Sequence, residues 1–198
     1  YYFIIYFIVL IVFILYFLIP HKSRWILLLG ASYYFYMSWK PAYIILILTS
    51  TFIDYFCSIQ LGKEQSKLPR KLFLWASILT NLCILLTFKY LGFFQEIAND
   101  LSSVFGHQEM KSSLSLILPM GISFYTFQTM SYTIDVYNKK IKPEMHLGKF
   151  ALFVTFFPQL VAGPIERASS LLPQLRKQVN FNYQQITRGL KLMAWGMF

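Results

Sequence analysis

Gln128, Gln159, Glu166 and Arg167 are the polar residues best placed to do chemistry here, because each lies in or beside an apolar run. Three of them share one segment, Phe156-Phe157-Pro158-Gln159-Leu160-Val161-Ala162-Gly163-Pro164-Ile165-Glu166-Arg167. It opens hydrophobic, breaks at two prolines and a glycine, and ends in a charged pair. A lipid-facing helix avoids such breaks, since the freed backbone groups find no partner in hydrocarbon. The segment therefore reads as one that enters a membrane and stops inside protein. Pro158, Gln159, Gly163 and Pro164 would then line a cavity. Glu166 and Arg167 either face that passage or form a local ion pair of little energy. Gln128 closes a second stretch, Gly121-Ile122-Ser123-Phe124-Tyr125-Thr126-Phe127-Gln128, dense in hydroxyls. Such groups bond neighbouring helices or line a polar passage, and spacing does not choose between the two.

Other chemistries find less support. Asp54 and Asp135 fall toward one end of their apolar runs and Lys89 toward the other. Intramembrane charge is costly and faces protein or water. Lys89 can snorkel to an interface; for the two aspartates, pairing with basic loops and a direct role weigh equally. His21, His107 and His146 all sit in loops, where a solvated role is expected rather than that of a general base. Residues 121–125 lack the second glycine of a nucleophile elbow. Cys57 and Cys83 lie inside apolar runs, which suits small buried residues and neither a disulfide framework nor a metal site.

The elements that position these residues follow from composition. The chain is 57% hydrophobic and 19% aromatic but only 13% charged, against about 25% charged in soluble domains. This is the composition of an all-α integral membrane protein. The apolar runs predict five transmembrane helices over Tyr1–Ile19, Trp25–Trp39, Ala42–Ile59, Phe73–Phe94 and Leu116–Tyr137. A polar loop is expected from Gln95 to Ser115, and a further apolar helix begins at Leu190. With Tyr rather than Met at position 1 and that last helix unfinished, residues 1–198 read as one membrane domain, part of a longer one.

The net charge of +10 is spread between the apolar runs, as topology signals are, and does not form a nucleic-acid face. The loops after spans one, three and five are basic and the loop after span four is acidic. The positive-inside rule then puts the N-terminus outside and the basic loops in the cytoplasm. Phe150–Ile165 has basic flanks on both sides, from Lys149 to Arg167 and Arg176. A re-entrant segment keeps both flanks inside. It also accounts for the prolines.

Leu118-Pro119-Met120-Gly121-Ile122-Ser123-Phe124-Tyr125-Thr126-Phe127-Gln128, followed by Tyr132-Thr133-Ile134-Asp135-Val136-Tyr137, closely resembles the membrane-bound O-acyltransferase (MBOAT) family. The Phe153–Ile165 segment is similar to that family's most recognisable motif, within the branch of the alginate O-acetyltransferase membrane subunit. Ser32-Tyr33-Tyr34-Phe35-Tyr36, Phe88-Lys89-Tyr90 and Arg188-Gly189-Leu190 are supporting matches.

The resemblance implies a larger helical bundle in a bacterial inner membrane. Its activity would move an acyl group, acetyl foremost, from a cytoplasmic donor to hydroxyls of an extracytoplasmic polysaccharide or cell-wall glycan. The donor would be acetyl-CoA or another acyl carrier as co-substrate, with no bound cofactor or metal. Membrane lipids, the glycan acceptor and extracytoplasmic proteins of the acetylation machinery are the expected partners. The family's active-site histidine is expected beyond Phe198, so no catalytic residue is assigned within the chain, which alone should be inactive. Gln128, Gln159, Glu166 and Arg167 would line or brace the passage. A transporter half and a non-enzymatic scaffold of a glycan-assembly complex are the alternatives. A transporter predicts an internal repeat, and the Pro-Gln…Gly-Pro segment occurs once.

Overall fold

The structure, a computed structural model, describes residues 2–38, 40–63, 66–104, 119, 121–162 and 166–197. Among these, every regular element is a helix. α1 (Tyr2–Leu18) stops before Pro20, and α2 (Arg24–Met37) follows one 3-10 turn. A second 3-10 turn at Pro41–Tyr43 leads into α3 (Ile44–Lys63). α4 (Lys67–Val104) carries Pro69 in its first turn, where a proline needs no N–H partner.

α4 overruns its expected end. The stretch from Gln95, expected as loop, is helical as far as Val104. After Gly92 no glycine or proline interrupts it, and Glu96, Ala98 and Leu101 favour helix. At 38 residues the helix is about 57 Å long, nearly twice a hydrocarbon core of about 30 Å. The rest of that expected loop, residues 105–115, lies outside the described residues, as do Leu116 and Trp39.

α5 (Ile122–Tyr137) starts at Gly121, whose φ of 73° is left-handed and suits a residue without Cβ. The broken segment forms α6 (Leu147–Thr155) and α7 (Phe157–Ala162), with Phe156 between them. α8 (Ala168–Arg176) follows. α9 (Tyr183–Met197) begins before the expected Leu190, capped by Asn182 Oδ1, which accepts from the Gln185 N–H at 3.2 Å.

Among the described residues two stretches, Pro41–Lys63 and Lys67–Tyr90, are long and apolar enough to cross a membrane. α1, α2 and α5, at 17, 14 and 16 residues, reach only about 21–26 Å as straight helices. Side-chain placement speaks for the membrane as well. In α3, Ile45, Phe52 and Phe56 are exposed while Ser50, Thr51, Asp54 and Ser58 are buried. α4 exposes Leu72, Trp75 and Leu79 and buries Ser77 and Asn81. α5 exposes Phe124 and Phe127 and buries Thr126, Gln128, Thr129 and Thr133. Water would reverse this arrangement; lipid selects it.

α3, α4 and α5 pack together, α6 lies across α2 and α3, and α8 lies across α6. The α5–α6 core is aromatic: the Tyr132 ring stands 4.9 Å from Phe150 and 5.9 Å from Phe153. Gln128 and the α6–α7 break are thereby held side by side.

Candidate functional site

The site is built on the backbone break. In a continuous helix the Phe157 N–H would donate to the Phe153 carbonyl. Phe156 turns out of helical geometry (φ −54°, ψ 104°) and separates them. Two side chains replace the missing bond. Gln128 Nε2 of α5 donates to the Phe153 carbonyl at 2.8 Å, and Ser32 Oγ of α2 accepts from the Phe157 N–H at 3.3 Å. Ser32 Oγ itself donates to the Leu28 carbonyl at 2.7 Å. Broken backbone at membrane depth is tolerated where protein satisfies it in this way.

Gln128 Nε2 also lies 3.4 Å from Gln159 Oε1. Both side chains are buried. The structure thus brings together two of the sequence-selected residues, one from each motif. Pro158 sits in the first turn of α7, where its missing N–H is harmless, and is exposed. Glu166 and Arg167 are exposed at the start of α8, away from any buried pair. Gly163 and Pro164 lie outside the described residues. The Thr126 hydroxyl, two residues before Gln128 in α5, is buried with no hydrogen-bond partner among the described residues.

A second polar cluster joins α3, α4 and α5. Asp54, fully buried, accepts from Ser77 Oγ at 2.6 Å, Asn81 Nδ2 at 2.8 Å and Ser50 Oγ at 3.3 Å. Thr129 donates to Asn81 Oδ1 at 3.3 Å, and Ser77 to Thr133 Oγ1 at 3.1 Å. Pairing with a basic loop holds for Asp135, which lies 3.8 Å from Lys140, and not for Asp54. Asp54 meets the neutral donors Ser50, Ser77 and Asn81. Lys89 is exposed over the Tyr90 ring, and Cys83 is exposed where Cys57 is buried.

The sequence reading missed Ser50, Ser77, Asn81, Thr129 and Thr133 as a group. Their signal was present: Ser50/Asp54 and Ser77/Asn81 are spaced i, i+4 on single helix faces.

The two ends of the broken segment meet. Arg176, at the end of α8, pairs with Glu144, which precedes α6, its Nε donating to Oε2 at 3.1 Å. Glu144 Oε1 accepts from the His146 N–H at 3.0 Å, and Tyr132 Oη accepts from the Glu144 N–H at 2.8 Å. His21 and His146 lie in the turns before α2 and α6, apart from the Gln128 pair; His107 lies outside the described residues.

The chain is 33% identical over 200 aligned positions to the peptidoglycan O-acetyltransferase of Helicobacter pylori, covering 88% of this chain and 37% of that protein. It is 35% identical to the probable alginate O-acetylase AlgI of Pseudomonas aeruginosa (84% of this chain, 32% of that one). With the Azotobacter vinelandii protein of the same name it shares 34% (84% and 33%). These likenesses are consistent with the membrane-bound O-acyltransferase family that the motifs resemble. No family model and no solved structure matches it. The chain spans about a third of the length of the curated relatives it matches.

Proposed function

We propose that the protein carrying this chain is a bacterial inner-membrane O-acetyltransferase. It takes an acetyl group from a cytoplasmic donor, acetyl-CoA or another acyl carrier, and delivers it to hydroxyls of an extracytoplasmic polysaccharide or cell-wall glycan. The observation that carries this reading is 33–35% identity, over more than four-fifths of the chain, to proteins named as glycan O-acetylases. In this reading the chain crosses the membrane five times with its N-terminus outside, the short helices relying on a locally thinned bilayer. The α6–α7 segment is re-entrant, in keeping with the Glu144–Arg176 pair that joins its flanks.

The chemistry asks for a base to take the acceptor hydroxyl's proton and for donors to the carbonyl oxygen as it gains charge. Gln128, Pro158 and Gln159 form the passage wall, with Glu166 and Arg167 at its mouth; Gly163 and Pro164, selected from the sequence for the same passage, lie outside the described residues. Gln128 fixes the broken backbone, and Gln159 presents its amide beside it. The base is a histidine contributed from beyond Phe198, and the 198 residues alone do not turn over. Extracytoplasmic partner proteins complete the transfer.

The test is acetyl-ester content of envelope glycans in cells lacking the native gene and supplied with the full-length protein. Each histidine beyond Phe198 is replaced in turn. One replacement should abolish acetylation while the protein stays inserted and folded. Acetylation that survives every replacement removes the histidine mechanism and favours a scaffold.

A further inference from the structure

A cavity of about 480 Å³ opens between α1, α2, α6 and α8, at the end of the bundle where the α1–α2 turn and the loop before α6 come together. Its size suits a small ligand. Lys22, Arg24, Lys149 and Arg176 line it, and no acid does. Glu144, which does not line the cavity, pairs with Arg176. Arg24 is held in place by the Ile19 carbonyl at 3.1 Å, the Val179 carbonyl at 2.6 Å and the Tyr16 ring at 4.6 Å, but these neutral groups leave its charge uncompensated. Lys22 and Lys149 have no acidic partner among the described residues. His21, also at the rim, has a buried Nδ1 without a hydrogen-bond partner among the described residues.

Topology accounts for lysines in these loops. It does not require loops so far apart in sequence to aim their cations into one cavity. The same cavity is also lined by apolar side chains, Leu28, Phe156 and Leu171. Cations and hydrocarbon in one cavity suit an anionic amphiphile.

We propose that this cavity binds a phosphate group, held by Lys22, Lys149 and Arg24, with any attached apolar chain lying against Leu28 and Phe156. The phosphate comes from a membrane phospholipid headgroup or from a soluble phosphate ester. The site stands apart from the Gln128–Gln159 pair, and its occupancy does not depend on acyl transfer.

Full-length protein in uncharged detergent is titrated with short-chain phosphatidylglycerol, the matching diacylglycerol without phosphate, and inorganic pyrophosphate. Native mass spectrometry reports adducts and thermal unfolding reports occupancy. Phosphatidylglycerol should bind and the diacylglycerol should not. Lys22→Gln and Lys149→Gln should each weaken binding about tenfold, the scale of one charge-assisted contact. Lys67→Gln with Lys71→Gln, exposed lysines at the start of α4, should leave it unchanged. Pyrophosphate that binds and displaces the lipid supports a soluble ester as occupant; failure of pyrophosphate alone supports the headgroup. Should the glutamine variants unfold, Lys22→Arg with Lys149→Arg must retain binding. Equal binding of the diacylglycerol, equal loss in the Lys67/Lys71 control, or binding of neither phosphate probe overturns the proposal.

Discussion

Gln128 Nε2 and the Phe153 carbonyl oxygen, 2.8 Å apart, make across two helices the bond that α6 loses at its own end. Around this buried amide both near neighbours are acceptors, the Phe153 carbonyl and Gln159 Oε1. Gln128→Leu should therefore cost about 1–3 kcal/mol by leaving the carbonyl unpaired. Gln128→Glu should do worse, since an ionised carboxylate has no hydrogen to donate and would face two acceptors. Thermal unfolding of the full-length protein ranks the two variants, and the reverse order would show that Gln128 acts by volume and not by donation.

The Asp54 cluster makes a separate prediction. Ser77, Asn81 and Ser50 all direct donors at one carboxylate. Asp54→Leu removes the acceptor these three groups share, but Ser50 keeps Asn81 Oδ1 at 2.9 Å, Ser77 keeps Thr133 Oγ1 at 3.1 Å and Asn81 keeps the Ser77 carbonyl at 3.0 Å, so the cost per group falls below the about 1–3 kcal/mol of an unpaired donor. Interhelical hydrogen bonds in membranes are commonly worth nearer 1 kcal/mol, so a total loss of about 2–4 kcal/mol is expected. Ser77→Ala combined with Asp54→Leu should cost less than the sum of the two, because they remove one shared bond. Additivity in that cycle would place Ser77 outside the network.

Much of this was legible in the chain, for physical reasons that differ by residue. α1 and α3 follow their apolar runs because Pro20 and the Lys40-Pro41 pair stop or start helices by covalent constraint. The α6–α7 break was legible from Pro158 for the same reason. α4 was misjudged at its end because polarity marks the edge of a membrane and not the end of a helix. Gln128 and Gln159 each stood out alone, yet their meeting depends on how α5 packs against α6, which no local pattern encodes. Ser32 was visible only as part of a motif; its role as acceptor for Phe157, 125 positions away, is purely tertiary.

Close packing of α6 on α2 sets a third expectation. Gly148 of α6 lies against the Trp25 indole, and a Cβ there would overlap the ring. Gly148→Ala should lower stability by about 1–3 kcal/mol, as overpacking does. Trp25→Leu in the same protein should restore part of it by clearing the space. If Gly148→Ala is silent in thermal unfolding, the α2–α6 contact is looser than the structure has it.

Glu144 and Arg176 join the flanks of the broken segment, one buried and one half-exposed, with side-chain exposures of 5% and 52%. Their inequality predicts an unequal response. Arg176→Ala strands a buried carboxylate and should cost about 1–3 kcal/mol. Glu144→Gln should cost less, because a neutral oxygen still accepts from the His146 N–H. The same contact implies that residues 142 and 177 lie on one side of the membrane. Lys142→Cys and Lys177→Cys, in a background with Cys57→Ala and Cys83→Ala, should react with an impermeant maleimide from the same face, and Gln108→Cys from the other. Labelling of 142 and 177 from opposite faces would mean that α6 to α8 make a full crossing, and the re-entrant reading would fail with it.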